Sequence, residues 1–262
     1  MIFQLFQALI YGLVQGITEF LPISSTAHLI LLPYFFHWQD PGLTFDIFLH
    51  LGTLIAIIIF FAKDWVGIFK NKHKLLGLIV VACIPAAILG YIFEGKIETS
   101  LRSPLLIAGT LAAFGLVIYL VDSLMKHTQK LKDMNYLQSI LIGFGQSLAL
   151  IPGISRSGAT MTAGIALGFK RKTAAKFSFL IATPIMLGAT IFKAKDLASI
   201  PVTNWFNGFG IIAAVAGFIV ALISGYLAIK YLLKYLERGS FTPFVIYRII
   251  LAIIIVIVYI LK

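Results

Sequence analysis

Little in this 262-residue sequence ionises: Asp, Glu, Lys and Arg make up 12% of it, against about 25% in soluble domains. It has one cysteine, Cys83, so no disulfide can form within the chain, and the apolar setting VVACIPAAILG reads as that of a small core residue. His37, His73 and His127 fall in connecting segments, and no His/Cys spacing suggests a zinc site. Acidic residues are half as common as basic ones, 10 against 21, giving a net charge of +11. The basic residues sit between apolar runs rather than on a soluble face. They therefore read as topology signals and contacts to anionic membrane lipid, with no nucleic acid as partner. The start, MIFQLFQ, has neither the basic flank nor the cleavage site of a signal peptide, so the first helix is expected to stay in the fold.

What the chain does have is apolar length: 60% of its residues are hydrophobic and its mean hydropathy is +1.00. That composition defines an all-α integral membrane protein, predicted as a single membrane domain of residues 1–262. A hydrocarbon core of about 30 Å needs roughly 20 apolar residues per helix, so there is room for about six to eight spans. Full spans are predicted over 43–62, 75–93, 104–124, 174–192, 208–229 and 243–261. Two further segments, 1–32 and 138–167, are as apolar but interrupted by Pro with Ser, Gly, His or Arg. Backbone that leaves the helix at membrane depth must be satisfied by protein or a wet cavity, so these two are predicted as re-entrant hairpins facing each other.

Laid together, the broken segments repeat: GLVQGITEFLPISSTA (12–27) over GFGQSLALIPGISRSG (143–158) aligns Gly12 with Gly143, Gln15 with Gln146, Ile23 with Ile154 and Ser24 with Ser155. The offset predicts repeat halves of about 1–131 and 132–262, each a broken hairpin followed by three spans. Three is odd, so the second half enters from the opposite side, an inverted-topology repeat. With that topology Lys63, Lys70, Lys72, Lys74, Lys126, Lys130, Lys132, Lys170, Arg171, Lys172, Lys176, Lys230, Lys234 and Arg238 share one side, leaving Lys96, Arg102, Lys193, Lys195 and Lys262 on the other. The bias puts both termini outside.

The ionisable residues left inside apolar segments are chiefly Glu19, His28, Asp46, His50, Arg156 and Arg248. A charge near the bilayer centre costs about 2.5–3.5 kcal/mol on insertion scales, so burial without a partner or a function is disfavoured. Glu19, His28 and Arg156 all lie in the broken segments. Gln15 and Glu19, four apart, share a helix face and offer oxygen to a hard cation, or one ligand and one orienting amide. Pro22 ends that helix, and Ser24, Ser25 and Thr26 lead into the next, where hydroxyls and free N–H groups form an anion site. Ser25 and His28, three apart, suit a hydroxyl beside a general base, or a histidine that attacks or donates a proton itself.

The second hairpin contributes PGISRSGAT (152–160), with Ser155 and Ser157 flanking Arg156 and Gly158 allowing close ligand approach. A guanidinium stays charged in lipid and binds phosphate through paired bonds, so it suits a diphosphate. Facing a Glu/His/Ser hairpin in a membrane, it points to phosphoryl chemistry. Asp46 and His50 are expected at the interface or lining a cavity, and Arg248, beside Tyr247, is expected to snorkel or pair.

QGITEFLPISSTAHL (15–29) and PGISRSGAT (152–160) closely resemble the two signature stretches of the undecaprenyl-diphosphate phosphatase, or bacitracin-resistance, family of integral membrane proteins, and the likeness in order and spacing runs the whole chain. The resemblance implies hydrolysis of undecaprenyl diphosphate to the monophosphate carrier for envelope polysaccharide such as peptidoglycan. It also implies a divalent cation, Mg²⁺ or Ca²⁺, the plasma membrane of a prokaryote, a site open to the outer face, and compatibility with a homodimer. By similarity Glu19 with Gln15 is the acidic pair that holds the metal, Ser25 and His28 the catalytic pair with Arg156, and Ser155 with Arg156 the phosphate-binding element, which Ser24, Thr26, Ser157 and Gly158 extend. Many members carry Glu where this chain has Gln15, a departure that bears on metal ligation by that side chain more than on activity.

A different membrane lipid phosphatase pattern requires His six residues after such an Arg and Asp four beyond; here those positions are Thr162 and Ala166. The rival function is a polyprenyl-phosphate transporter or flippase using the same anion site, since inverted repeats with broken helices are transporter architecture. The Ser/His pair, which transport does not need, separates the two.

Overall fold

A computed structural model describes residues 2–100, 103–197, 205–206 and 208–262, without the side chains of 43, 94–100 and 195–197. Of the sparse basic side, Arg102 and the side chains of Lys96 and Lys195 lie outside the described residues. Among the described residues eleven α-helices follow in chain order: α1 (Ile2–Phe20), α2 (Ser25–Phe36), α3 (Leu43–Phe60), α4 (Ala62–Asn71), α5 (His73–Ser100), α6 (Pro104–Leu124), α7 (Tyr136–Leu148), α8 (Arg156–Ala166), α9 (Arg171–Leu197), α10 (Gly210–Tyr235) and α11 (Thr242–Leu261). Five are long and apolar enough to cross a membrane, six if the bent pair α3/α4 counts as one span. The chain is an all-helical, multi-pass membrane protein.

Both broken segments are helix pairs interrupted at midlength. α1 stops at Phe20 and α2 starts at Ser25, while α7 stops at Leu148 and α8 starts at Arg156. Pro22 and the Pro152–Gly153 pair lie inside the breaks, where a missing N–H and a φ of +93° at Gly153 prevent continuation. Pro33, Pro85 and Pro184, by contrast, lie within α2, α5 and α9 without ending them. The Cys83 thiol donates to the Ile181 carbonyl at 3.6 Å, joining α5 to α9 near Pro184.

Several connections expected from the sequence are helical. Apolar length alone makes residues 63–74 a link between two spans, but most of them form α4, bent 63° from α3. Its Trp65, Ile68 and Phe69 alternate with Lys63 and Lys70 at helical spacing, an amphipathic helix rather than a loop. Likewise Arg171, Lys172 and Lys176 begin α9, and Lys230 and Lys234 end α10. Apolar count sets the membrane-crossing length, but the helix continues past it on polar turns.

Helix pairing follows close backbone approach at small residues, the usual means of association in lipid. α1 packs along α10: a Cβ on Gly12 would strike the Gly217 carbonyl, and one on Gly16 the Ser224 hydroxyl. α7 packs along α5, where a Cβ on Gly143 would strike the Ala82 carbonyl and Ser139 donates to the Leu78 carbonyl at 2.5 Å. The start of α1 lies at the start of α10, with Gln4 donating to the Gly208 carbonyl at 2.8 Å. The start of α7 lies at the start of α5, where a Cβ on Gly77 would strike the Tyr136 hydroxyl.

Ion pairs collect the basic ends. Arg171 bonds Asp122 at the end of α6 at 2.6 Å, and the other oxygen of Asp122 accepts from Phe241 N at 3.0 Å, so one buried carboxylate joins α6, α9 and the start of α11. Lys176 reaches Asp64 of α4, and Lys172 reaches Glu237 just past α10, each at 2.6 Å. The ends of α6 and α10 and the starts of α5, α7 and α9 therefore share one face, opposite the starts of α1 and α10.

Candidate active site

The two breaks meet. Ser157 of the second donates to the Leu21 carbonyl of the first at 2.9 Å, and Arg156 Nη2 donates to Glu19 Oε1 at 2.5 Å across the gap. Both are built on the same cap. Ser24 (φ 73°) and Ser155 (φ 77°) take the left-handed conformation that non-glycine residues rarely adopt. Each turns its hydroxyl back onto the helix it starts, Ser24 Oγ accepting from Ala27 N at 3.4 Å and Ser155 Oγ from Gly158 N at 3.1 Å. Strain of about 1–3 kcal/mol at each such residue persists only where the surroundings enforce it, and it clusters at functional sites.

Glu19 is the hub. Its Oε1 takes Arg156, while its Oε2 accepts from Ser25 Oγ at 2.5 Å and from Gln15 Nε2 at 3.1 Å, with His50 Nε2 3.7 Å away. The carboxylate is nearly fully buried, and so are Ser25 and Gln15; burial of a charge this deep is compensated by the guanidinium and three polar neighbours. The hydroxyl of Ser25 therefore lies against a carboxylate able to take its proton, the arrangement of an activated nucleophile. Arg156 has a second anchor, Nη1 donating to the Ala182 carbonyl of α9 at 3.4 Å.

These groups face a cavity of about 300 Å³. Glu19, Ser24, Ser25, Thr26, Ser155 and Arg156 line it together with Asp46 and His50, and Leu29, Ile30, Ile47, Ile151, Ile185 and Met186 supply apolar wall. That pairing of a polar focus with a greasy wall fits an amphiphile with an anionic head.

Other predicted residues are elsewhere. His28, expected beside Ser25, turns toward α11. Its Nδ1 lies 2.6 Å from the Ser24 carbonyl and its Nε2 2.6 Å from the Tyr247 hydroxyl. A carbonyl only accepts, so Nδ1 carries a proton, and in neutral His28 the hydroxyl of Tyr247 donates to Nε2. The helix face three residues on from Ser25 looks at α11 rather than at Glu19, so the structure does not bring this pair together. Ser157 and Gly158 are spent within the break, on the Leu21 carbonyl and on Ser155 Oγ, and neither lines the cavity.

The structure corrects the expectation for Arg248. It neither snorkels nor pairs with a carboxylate among the described residues, but is fully buried and bonded to carbonyls of both breaks. Asp46 and His50, for which the sequence leaves interface and cavity both open, lie in the cavity wall because α3 packs beside α1. His50 Nδ1 donates to the Asp46 carbonyl at 2.8 Å, which leaves Nε2 toward Glu19. Their signal was present: an i, i+4 polar pair at the start of an apolar span.

Helices long enough to cross a membrane surround two interrupted ones, and a carboxylate, a hydroxyl and a guanidinium meet where the interruptions touch, the candidate active site of a membrane enzyme. The chain belongs to the family described as bacitracin resistance protein BacA, whose model matches residues 8–254. Among its relatives are proteins named undecaprenyl-diphosphatase. That of Moorella thermoacetica is 48% identical over 261 residues, covering 97% of each chain. That of Caldicellulosiruptor bescii is 46% identical over 267 residues, covering 98% of each, and that of Elusimicrobium minutum 45% over 263, covering 97% of this chain and 98% of its own.

Proposed function

We propose that this protein hydrolyses undecaprenyl diphosphate to undecaprenyl phosphate and phosphate, regenerating the lipid carrier and so supporting envelope synthesis and bacitracin resistance. The family membership and the relatives' names support the substrate. The single observation that carries the chemistry is the shared carboxylate: Glu19 holds Ser25 on one oxygen and Arg156 on the other. A transporter needs an anion site but not a hydroxyl bonded to a buried base.

Ser25 Oγ gives its proton to Glu19 Oε2 and attacks the terminal phosphorus. The Oγ–P bond forms, the bridging P–O bond breaks, and its electron pair leaves on undecaprenyl phosphate. Arg156, with Thr26 and the Ser24 and Ser155 elements, holds the transferring group and neutralises its charge. After the proton on Glu19 has passed to solvent, the same carboxylate takes one from a water whose oxygen bonds to phosphorus; the Oγ–P bond breaks, phosphate leaves, and Glu19 returns the proton to Ser25 Oγ. His28 acts behind the site, fixing the Ser24 carbonyl.

A divalent cation, Mg²⁺ or Ca²⁺, belongs to the same reading. Gln15 Oε1 is a buried acceptor without a partner, beside Glu19, and Glu19 and Asp46 line one cavity. No group of three or more His, Cys, Asp or Glu stands together among the described residues, so these oxygens would hold the ion together with diphosphate oxygens and water. Bound there, it would neutralise diphosphate charge.

The two halves form an inverted repeat within one membrane domain, with the interrupted helices as re-entrant hairpins. Three things support this: the matched caps at Ser24 and Ser155, the pairing of α1 with α10 and of α7 with α5, and the opposite ends at which α1 and α7 begin. The termini then face outward from the plasma membrane. The cavity opens on the outer side, because it is lined by Ile185, Met186, Ala189, Thr190 and Lys193, the half of α9 remote from its basic start.

The test is phosphate release from a long-chain prenyl diphosphate by purified protein, with and without chelator, for wild type and for Glu19→Ala, Ser25→Ala and Arg156→Ala. Loss in all three variants is expected; retained turnover in all three overturns the assignment.

A further inference from the structure

We infer that Arg248 is a positioning residue whose guanidinium locks the two helix breaks to each other and to α6, and thereby aims Ser25 and Arg156 at the same point. Breaking two helices inside a membrane leaves backbone carbonyls with no N–H to receive, and no water is on hand to satisfy them. Arg248 supplies the missing donors. Its Nη1 donates to the Pro22 carbonyl of the first break and to the Ile154 carbonyl of the second, each at 3.2 Å. Its Nη2 donates to the Gly153 carbonyl at 2.8 Å and to the Thr110 carbonyl at 3.4 Å, and its Nε to the Leu111 carbonyl at 3.0 Å.

The side chain is fully buried, with its guanidinium carbon over the Phe114 ring at 5.6 Å from the centroid. It does not line the cavity, so it acts through the backbone. Pro22 and Ile154 lie two residues and one residue before the strained serines Ser24 and Ser155, so one planar fork holds the backbone of both breaks where it turns into positive φ. Two further bonds close the frame. Thr110 Oγ1 donates to the Pro152 carbonyl at 2.7 Å, and the preceding residue on α11, Tyr247, holds His28, whose Nδ1 donates to the Ser24 carbonyl. Consecutive residues of α11 thus govern both breaks. A lysine has the charge but gathers its donors on one nitrogen and cannot span carbonyls from three elements.

The kinetic arm of the test rests on the phosphatase reading; the spectroscopic arm does not. Arg248→Lys and Arg248→Met are compared with wild type for kcat, KM and melting temperature on a long-chain prenyl diphosphate. Separately, spin labels on Thr26→Cys, just after the first break, and Ile151→Cys, within the second, both exposed positions, report their separation in a Cys83→Ala background. Arg248→Lys is expected to keep its melting temperature within a few degrees and its KM within about threefold, while kcat falls roughly 10- to 100-fold and the label distances broaden. Arg248→Met should lose more, and if it does not fold, the lysine variant carries the test. Unchanged kcat with an unchanged distance distribution overturns the proposal, as does a raised KM at preserved kcat, which would make Arg248 a substrate contact. Wild-type protein that releases no phosphate refutes the phosphatase reading alone, and the label distances then decide on Arg248.

Discussion

The two breaks, residues 21–24 and 149–155, use one backbone device for two purposes. Each ends in a serine at positive φ whose hydroxyl caps the following helix, yet the first is preceded by a carboxylate and followed by a hydroxyl, while the second delivers a guanidinium at the first helical position. The longer second break also carries Gly153, whose φ of +93° and close approach to Thr110 leave no room for a side chain. In the proposed reaction chemistry sits on the first break and anion binding on the second, so neither half is sufficient. An enzyme built this way needs its two tips held in register, which is what Glu19–Arg156, Ser157–Leu21 and Arg248 do.

That division of labour is broken most severely on its chemical side. Ser25→Ala is expected to lower kcat by on the order of 10³-fold or more with a modest change in KM, measured as phosphate release. Arg156→Lys should cost about 10- to 100-fold in kcat/KM, because a single ammonium cannot satisfy Glu19 and a phosphate in the paired geometry of a guanidinium. His28→Gln should cost about tenfold, the scale of a group that orients another. Tyr247→Phe should act like it, and the double variant should be no worse than either, since both are links in one chain to the Ser24 carbonyl. Were His28 the general base, its loss would match that of Ser25 and Tyr247→Phe would be nearly silent.

The smallest effect is away from the breaks. Lys172 holds the Glu237 carboxyl below its usual range through a hydrogen bond and its charge, so the pair's contribution is present at neutral pH and is lost as pH falls through that lowered pKa. Both groups are exposed, and Glu237→Gln should shift the melting temperature by no more than about 1 °C.

Sequence patterning picked out Glu19, Ser25 and Arg156, whose side chains meet in the structure, and the existence of two interrupted segments, because a carboxylate, a guanidinium and proline in apolar runs are costly enough to stand out. It misjudged where two groups point and left a third, Asp46 with His50, open. Ser25 and His28 lie close along the helix, but a spacing of three does not say which neighbour that helix face meets, and α11 supplied Tyr247. Arg248 resembled an interfacial arginine because the acceptors that bury it are backbone carbonyls, which leave no mark in a sequence. Asp46 and His50 acquire their place only from the packing of α3 beside α1. The helical runs past Phe60 and before Ala174 escaped a reading based on apolar length, since amphipathic turns extend helices without adding hydrophobic span.

The most direct measurement is a rapid quench of purified protein with a long-chain prenyl diphosphate, followed by peptide mass analysis for the phosphorylated residue. The account predicts a transient phosphoryl group on Ser25, absent from Ser25→Ala and formed far more slowly in Glu19→Gln. A phosphoryl group on His28, or turnover by Ser25→Ala at the wild-type rate, would contradict it.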